Sequence, residues 1–359
     1  MANRVLAGVD IGGTKTAVVL SLEPPQITTR FAFTTRPDKG PEFAIRRIVK
    51  SLREVLLSQD LTPANVEAIG ISCGGPLEPV RGMIQSPPNL PGWNDIPICA
   101  ILEAEFQIPC FLENDANAGA LAEARFGAAR GAADIVFLTM GTGLGAGLIL
   151  DGKLHRGASQ AAGEIGHVRL TRTGPVGHGK AGSVEGWASG GGMAQVAMRY
   201  AEAALRRGER TLLENESGGL PEVITAREVA SAVRRGDAVA KAIVRRVGKS
   251  LGEGMAILID VVNPEVIVVG GLALRFGDDL LEPARRTIAK EALKGSVKVC
   301  RIVPAALGEQ IGDVAALCAA MEGLAQAKSK RRSVKARGSG SATPSIAFNQ
   351  PSLESESIA

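Results

Sequence analysis

Residues 5–20 read VLAGVDIGGTKTAVVL, and the fold of the chain can be inferred from this stretch outward. A short apolar run is followed by Gly12-Gly13 and then by a second run rich in β-branched residues, a pattern typical of two strands joined by a tight turn. Residues 135–150, IVFLTMGTGLGAGLIL, repeat the order of strand, glycine turn and strand. The repeat predicts two similar α/β lobes, each offering a glycine turn to one cleft.

The first turn carries the residue types expected of a phosphate site. Gly12 and Gly13 let backbone N–H groups approach phosphate oxygens closely, while Thr14 and Lys15 add a hydroxyl and a positive charge. Asp10 ends the strand beside this turn, where a carboxylate can hold Mg²⁺ through water. A capping role in the turn is the alternative for Asp10, and the residue alone does not separate the two.

The second turn, MGTGLGAG at residues 140–147, supplies Gly141, Thr142 and Gly143 for the same purpose. Its glycines lack the spacing of the dinucleotide-binding fingerprint, and a strand follows where that fingerprint requires a helix. No Gly-Lys-Ser/Thr ends the turn, which excludes a Walker loop.

A candidate catalytic carboxylate lies in ENDAN, residues 113–117, between a buried strand and a helix. As an isolated residue, Asp115 is better explained as the N-cap of that helix. The functional alternative is a base that meets a substrate hydroxyl beside the γ-phosphate, since phosphoryl transfer needs mainly positioning and charge stabilisation. The end of a strand at the edge of a cleft provides that geometry.

Composition limits the class of protein. With 359 residues the chain is long enough for two domains, and 45% hydrophobic with 22% charged residues is ordinary for a soluble protein. Aromatic residues make up 3%, which argues against a stacking surface for single-stranded nucleic acid. The five cysteines form no CxxC pair, and neither a signal peptide nor an apolar run of about 20 residues occurs. These features favour a reducing, cytoplasmic location.

The net charge of +4 is concentrated at the C-terminal end, where six basic and two acidic residues follow Ala325. This charge run has no apolar periodicity, so it predicts a disordered basic tail over residues 325–359 rather than a nucleic-acid-binding face.

The remaining secondary structure follows from periodicity. Apolar positions at helical spacing predict helices at residues 42–59, 116–125, 193–206 (with Ser189 as N-cap), two within 226–259, and a last one at 311–324. Apolar runs predict strands at residues 66–72, 108–112, 266–269 and 297–303.

Taken together, the motifs resemble those of the ROK family of sugar kinases and related repressors. The matching segments lie at residues 10–15, 113–117, 140–147, 157–167, 263–264 and 270–271. The resemblance implies a two-lobed α/β fold of the actin-like ATPase (ribonuclease H-like) class with a central cleft. It further implies a small lobe over residues 1–115, to which the helix at 311–324 returns, and a large lobe over 116–310.

The resemblance also implies roles for individual residues. Asp115 would accept the proton of the 6-hydroxyl of a hexose, most often glucose in this family, as that oxygen attacks the γ-phosphate of MgATP. The sugar-binding residues would be Gly75, Asn89, Asn114, Asp115, Glu164, His167 and Glu185. The ATP- and phosphate-binding residues would be Asp10, Gly12, Gly13, Thr14, Lys15, Gly141, Thr142, Gly143, Gly270 and Gly271, with Asp10 also holding Mg²⁺ through water. A cytoplasmic homodimer that uses ATP and Mg²⁺ is expected, without nucleic-acid or membrane partners.

The chain departs from the family pattern at one loop. In many members this loop carries three cysteines, which bind structural zinc together with the histidine found here at position 167. Val176, His178 and Ser183 stand at the three cysteine positions. Valine has no donor atom and serine is a poor zinc ligand, so we expect no bound zinc.

Two other classes of function stay open. One is a non-catalytic sugar sensor or transcriptional repressor of the same family. Such repressors carry an N-terminal helix-turn-helix domain, which we do not expect here because only four residues precede the first strand. An actin-like ATPase acting on a protein partner is disfavoured by the polar residues Asn114, Glu164 and His167. Among substrates, the sequence does not separate glucose from mannose, fructose, allose or an N-acetylated hexosamine, because the choice depends on fine placement around the ring hydroxyls.

Overall fold

The computed structural model describes residues 5–338, which form an α/β structure. Its strands are β1 (Val5–Ile11), β2 (Lys15–Ser21), β3 (Thr29–Thr34), β4 (Val66–Cys73), β5 (Leu77–Glu78), β6 (Met83–Ile84), β7 (Cys110–Asn114), β8 (Ile135–Met140), β9 (Leu144–Leu150), β10 (Lys153–His155), β11 (Val176–Gly177), β12 (Lys180–Ala181), β13 (Val266–Val269) and β14 (Arg301–Pro304). Its α-helices are α1 (Gly40–Leu57), α2 (Ile98–Phe106), α3 (Asp115–Phe126), α4 (Val184–Ala188), α5 (Gly190–Arg206), α6 (Ala226–Arg234), α7 (Ala238–Val262), α8 (Leu272–Phe276), α9 (Asp278–Glu291), α10 (Lys294–Val299) and α11 (Ile311–Gly338). Short 3-10 turns lie at Pro37–Lys39, Pro63–Asn65, Pro79–Arg81, Ile165–His167 and Gly308–Gln310.

Two five-stranded sheets with the same topology form the scaffold. Their strand orders are β3-β2-β1-β4-β7 and β10-β9-β8-β13-β14. In each sheet three consecutive strands pair antiparallel, and two later strands add in parallel beside the first of them. The turn between β1 and β2 therefore occupies the same place in its sheet as the turn between β8 and β9. This confirms the prediction of two similar α/β lobes.

Helices α3 and α11 pack against each other between the sheets: α11 covers β1 and β4, while α3 covers β8 and β9. Glycines make this close packing possible. A Cβ atom on Gly70 of β4 would overlap the carbonyl oxygen of Ala316, and one on Gly147 of β9 would overlap that of Ala116. Each helix therefore lies directly on the backbone of its sheet, with no side chain in between at these points.

Buried polar contacts hold the far part of this helix pair. Glu123 is fully buried, and its carboxylate accepts hydrogen bonds from the backbone N–H groups of Ala128, Ala306 and Leu307 at 2.7, 3.1 and 3.0 Å. Arg125 of α3 pairs with Glu322 of α11 at 2.6 Å. A buried carboxylate without such donors would be strongly destabilising, so these bonds fix α3 to the segment that leads into α11.

Each sheet also packs against helices of its own on the face away from α3 and α11. In the first lobe, Ile48 and Leu52 of α1 join a buried cluster with the β1 side chains. In the second, Val244 and Leu251 of α7 join the larger cluster around β8 and β13. Burying a Leu or Ile side chain contributes about 1.5–3 kcal/mol, so these clusters supply the main stabilisation of each lobe.

The last helix is longer than predicted. It continues past residue 324 to Gly338, across the start of the segment expected to be disordered. Alanine, lysine and arginine favour helix even where apolar periodicity has ended, which explains the error. The rest of the predicted tail, residues 339–359, lies outside the described residues.

Residues 297–303 were predicted as one strand, and this is wrong for its first part. Residues 294–299 form α10, closed by hydrogen bonds from the N–H of Val297 to the carbonyl of Leu293 and from Cys300 to Ser296. Only β14 that follows is extended, because it pairs with β13. The β-propensity of the valines is overridden by local hydrogen bonding. Among the described residues, no helix combines the length and apolar character needed to cross a bilayer.

We predict that Gly70→Ala destabilises the protein by about 1–3 kcal/mol, because the new methyl group would meet backbone atoms of α11 that cannot move aside. Gly295→Ala is the matched control: a Cβ atom there would have no neighbour within 4 Å, so we expect a change of at most about 1 kcal/mol. Denaturant unfolding of both variants measures the difference. Equal stability of the two would contradict the packing described for α11.

Candidate active site

The first glycine turn is braced by the threonine that follows β3. The N–H of Gly12 bonds to the carbonyl of Lys15 at 3.0 Å and closes the turn. The Thr35 hydroxyl donates to the carbonyl of Gly12 at 2.6 Å, and the Thr35 N–H bonds to the carbonyl of Thr14 at 3.0 Å. The side chains of Thr14 and Lys15 remain exposed. Thr35 was not singled out from the sequence, because its partners precede it by about twenty positions.

The Pro-rich loop at residues 85–93 meets this turn through Asn89. A Cβ atom on Gly13 would lie 2.6 Å from the carbonyl oxygen of Asn89 and 3.3 Å from its amide nitrogen. A Cβ atom on Gly74, after β4, would lie 3.8 Å from the amide atoms of Asn89 and 3.9 Å from Oδ2 of Asp115. Asn89 and Asp115 therefore converge on Gly74.

Asp115 is the first residue of α3, and Asn114 is its N-cap. The Asn114 side chain accepts from the N–H groups of Ala116 and Asn117, while its amide nitrogen faces Gly75. The capping role considered for Asp115 thus belongs to its neighbour. Oδ1 of Asp115 accepts the N–H of Ala116 at 2.8 Å, which leaves Oδ2 directed toward Gly74.

Two effects raise the pKa of Asp115 above its usual value. The larger is burial, which disfavours the charged form, and the negative charge of Glu164 adds to it. The hydrogen bond from Ala116 acts in the opposite direction. A carboxylate with a raised pKa is suited to accept a proton from a bound substrate.

Asp10 lies in the same acidic region. Burial, followed by the charges of Asp313 and Asp115, raises the pKa of Asp10 to about 7, against a smaller effect of the Ser72 hydrogen bond. A Cβ atom on Gly312, in the first turn of α11, would overlap the Asp10 carboxylate, so only glycine leaves room for this acid.

Asp313, beside Gly312 on α11, is paired with a cation. Its buried carboxylate accepts from Arg30 of β3 at 2.6 Å. Among the described residues, no cationic side chain forms an ion pair with Asp10. A carboxylate without such a partner is a favourable place for a bound metal cation.

The second glycine turn touches the start of α5. The N–H groups of Gly190 and Gly191 bond to the carbonyls of Gly141 and Thr142 at 2.8 and 3.1 Å. Ser189 caps α5, as predicted, by accepting from the N–H of Gly192. Beyond the turn, the glycines of β9 allow that strand to lie against the first residues of α3, so the turn and Asp115 belong to the same region.

Two predicted adenosine-site glycines lie next to the second turn. The N–H of Gly270 bonds to the carbonyl of Leu138 at 2.9 Å, and a Cβ atom on Gly271 would overlap the carbonyl of Met140. Gly271 also has φ +58°, a conformation that side-chain-bearing residues rarely adopt. The end of β13 is thus adjacent to the end of β8.

Glu185, on the short helix α4, connects the second turn with the predicted sugar-binding loop. Its Oε2 accepts the N–H of Leu144 at 3.0 Å, and a Cβ atom on Gly143 would lie 2.7 Å from the same oxygen. Gly166, within the Ile165–His167 turn, packs against Leu144 and the Cβ of Glu185. Glu185, the second phosphate turn and this 3-10 turn are therefore in contact.

Glu164 precedes that 3-10 turn and His167 is its last residue, and both are exposed. Glu164 is close enough to Asp115 to influence its charge. The His167 ring instead meets the ring of His178, with centroids 6.2 Å apart in an edge-to-face arrangement, and its carbonyl accepts from Lys180 at 2.8 Å. Contacts to the β11–β12 hairpin therefore define the position of His167.

A largely buried ion pair joins the ENDAN segment, residues 113–117, to the loop that carries Glu164. Both Nε and Nη2 of Arg156 donate to Oε2 of Glu113, at 2.9 and 2.6 Å. Oε1 of Glu113 accepts from the Asn114 backbone and from the Asn117 amide, both at 3.0 Å. Arg156 is a residue that sequence reasoning missed, because its partner lies far away in the chain.

The N-terminal ends of α3, α5 and α11 all lie at this region, at Asp115, at the Gly141 contact and at Gly312 beside Asp10. The N-terminal end of a helix carries a partial positive charge, which favours bound anions even where its first N–H groups are bonded, as in α3 and α5. The region therefore combines three positive helix ends with an acid that is suited to act as a base.

We predict strong coupling between Glu113 and Arg156. Glu113→Gln or Arg156→Met alone leaves a buried charged or polar partner unsatisfied, which costs about 3–5 kcal/mol, whereas the double variant removes both charges together. A double-mutant cycle on the free energy of unfolding should give a coupling of about 1–3 kcal/mol. The exposed pair Arg46–Glu42 is the control, for which little coupling is expected. Additive effects at Glu113 and Arg156 would contradict the buried pair.

The chain shares this organisation with known proteins. The model of the ROK family matches residues 6–322. A glucokinase of Thermotoga maritima is 33% identical over 308 residues, which cover 86% of this chain and 94% of that protein.

Solved structures agree. A ROK family glucokinase from Streptomyces griseus, in complex with glucose and AMPPNP, superposes with a TM-score of 0.72 at 32% identity, covering 89% of this chain and 99% of that one. A ROK hexokinase from Thermus thermophilus gives a TM-score of 0.71 at 30% identity, covering 90% and 99%. These neighbours confirm the predicted actin-like ATPase fold. Sequence and structure lead to the same result: this chain belongs to the ROK family.

Proposed function

We propose that this protein is an ATP-dependent kinase that phosphorylates the 6-hydroxyl of a free hexose, with glucose as the preferred substrate. The observation that carries the proposal is the position of Asp115, whose Oδ2 points toward Gly74 close to Asn89, the residue that meets the first glycine turn, and whose pKa is raised. The glucokinase similarity, including a relative solved with glucose and AMPPNP, supports the choice of sugar and nucleotide.

Asp115 acts as the general base in this proposal. Oδ1 is held by the Ala116 N–H, so Oδ2 takes the proton of the sugar hydroxyl as that oxygen attacks the γ-phosphate. The proton leaves oxygen and joins the carboxylate, the new O–P bond forms, and ADP carries away the bond electrons of the leaving oxygen. The pair Glu113–Arg156 keeps the backbone of this segment fixed.

The sugar hydroxyls are held by polar groups on both sides of the base. Asn114 and Asn89 lie beside Gly75 and Gly74 on one side, and Glu164, His167 and Glu185 form the other. Several polar contacts to one ring discriminate strongly, because a substrate that lacks the matching hydroxyl leaves buried groups unpaired.

The phosphates of ATP are bound by the two glycine turns. Gly12, Gly13, Thr14 and Lys15 contribute backbone N–H groups, a hydroxyl and an ammonium group on one side. Gly141, Thr142 and Gly143 do so on the other, where the N-terminus of α5 adds a favourable dipole. Gly270 and Gly271, which pack closely against β8, are assigned to the adenosine from the family resemblance.

Asp10 would hold Mg²⁺ through water. The donor set fits, since burial and then the charges of Asp313 and Asp115 raise the pKa of Asp10, and a divalent cation would offset both effects. When bound, Mg²⁺ neutralises charge on the transferring phosphoryl oxygens. A homodimer, a cytoplasmic location and the absence of nucleic-acid partners stay predictions from the family resemblance.

We predict that the purified protein with MgATP releases ADP faster with glucose than with mannose, fructose, allose or N-acetylglucosamine. Asp115→Asn should lower kcat by about 10²–10⁴-fold while leaving glucose binding measurable by calorimetry, because only proton transfer is lost. Asp279→Asn, an exposed carboxylate on α9, is the control.

The outcomes separate the classes of function. Turnover retained in Asp115→Asn would disprove the assigned base. Sugar binding without ADP release by the unaltered protein would indicate a sensor. ATPase activity raised by a protein partner, with every sugar inactive, would indicate the third class.

We also predict that kcat falls on the acidic side at a pH higher than the usual pKa of an aspartic acid. The base must be ionised, and burial together with Glu164 raises the pKa of Asp115, so kcat falls as the pH drops through that raised value. Glu164→Gln removes a negative charge that raises the pKa of Asp115, so the acidic fall in kcat should move to lower pH. Glu42→Gln, on the exposed first turn of α1, should leave it in place. An unchanged acidic fall in Glu164→Gln would argue against Asp115 as the titrating group.

A further inference from the structure

The loop that carries zinc-binding cysteines in many ROK proteins does not offer a zinc site here. Val176 has no donor atom, and the buried hydroxyl of Ser183 caps α4 by accepting from the N–H of Gly186 at 3.1 Å. His167 and His178 could each supply one ligating nitrogen, which gives two ligands where structural zinc has four. Among the described residues, no three His, Cys, Asp or Glu side chains are gathered as a metal site requires. The donor set therefore does not fit zinc, and other contacts must order the loop.

Those contacts centre on Trp187 of α4. The guanidinium of Arg246, from α7, lies over its ring at 4.0 Å from the centroid. The indole Nε1 donates to the hydroxyl of Thr171 at 2.8 Å, and this hydroxyl donates to the carbonyl of Thr173 at 2.7 Å. The backbone at Gly174 lies on the ring, since a Cβ atom there would be 2.7 Å from it. The indole is thus held at its ring by Arg246 and Gly174 and at its N–H group by Thr171.

The rest of the loop is tied to the same point by backbone bonds. The N–H groups of Leu170 and Thr171 share the carbonyl of Gly182 at 2.8 and 3.1 Å, and the N–H of Gly182 bonds to Pro175 at 2.9 Å. The N–H of Val184 bonds to the carbonyl of Val168 at 2.8 Å. Residues 168–184 therefore close on themselves around Trp187 and lead directly into Glu185.

We propose that Trp187, stacked by Arg246 and bonded to Thr171, is a metal-free anchor that positions Glu185 for the sugar. These are positioning residues: none contacts the reacting atoms, and they act through α4, whose Glu185 also bonds to Leu144 after the second phosphate turn. The assignment of Glu185 to the sugar rests on the function proposed above, whereas the anchoring of the loop does not.

A kinetic experiment tests the positioning role. Trp187→Ala should raise the KM for glucose by about tenfold or more and the KM for ATP by a smaller factor, since the loss of one stacked, hydrogen-bonded aromatic acts through Glu185, which also bonds to Leu144 beside the second glycine turn. Trp187→Phe keeps the stacking on Arg246 and should recover part of the loss. Arg246→Met should resemble Trp187→Ala, and Arg245→Met, the exposed neighbour on α7, should behave like the unaltered protein.

A second measurement is independent of turnover. Arg172 and Lys180 are trypsin sites within the loop, so cleavage there, followed by mass spectrometry, reports whether the loop is closed. The unaltered protein should resist cleavage equally before and after dialysis against a chelator, and Arg246→Met should be cut faster. If Trp187→Ala does not fold, Arg246→Met and Trp187→Phe still give both readouts.

The chelator arm also addresses the metal. The dialysed protein, assayed again with added MgATP, should keep its KM for glucose, and metal analysis should find no stoichiometric zinc. Loss of protease resistance on dialysis, restored by zinc alone, would overturn the proposal. So would unchanged cleavage and glucose KM in Arg246→Met and Trp187→Ala. If the unaltered protein phosphorylates no sugar, the function fails, while the proteolysis still decides whether Trp187 anchors the loop.

Discussion

The close contact of two helices with the backbones of two sheets is the constraint on which the site depends. Gly70 and Gly147 carry no side chain, so α11 and α3 lie directly on β4 and β9. The closeness of this packing sets the position of each helix relative to its sheet, and therefore the position of the first residues of each helix. As a result Asp115, the first residue of α3, and Gly312, at the start of α11, both reach the region between the glycine turns. A bulkier residue at either contact would lift a helix and displace an acid that must be placed to within a fraction of an ångström.

The acids of the site divide into those that have ion-pair or hydrogen-bond partners within the protein and those that lack a full partner. Glu113 and Glu123 are buried but satisfied, by Arg156 and by backbone N–H groups, and they fix the framework. Asp10 and Asp115 are left without a full partner among the described residues, and the pKa of each is raised. The structural carboxylates thus have their hydrogen-bond partners within the protein, whereas Asp10 and Asp115 are left for a ligand to pair with.

Local sequence was enough to predict the two lobes, because a glycine turn between two strands is encoded within a few positions. The site residues, among them an acid between strand and helix, were named from the same kind of local pattern and stay predictions. Local sequence was not enough for Arg156, Thr35 or Arg246, whose partners are distant in the chain and become neighbours only in the fold. The end of α11 was missed for a different reason. Helix propensity in its Ala/Lys/Arg-rich part acts without apolar periodicity, so a pattern of apolar spacing does not reveal it.

The ion pair between Arg125 and Glu322 has a mechanical consequence. Helices α3 and α11 both start at the cleft, and this pair joins them about three turns away from it, where Arg125 also donates to the carbonyl of Cys318. The pair Glu113–Arg156 crosses between the two sheets at the end of β7. Any rotation of one lobe against the other would have to pivot near these two pairs or break them, so the pairs limit the axes about which the lobes can turn.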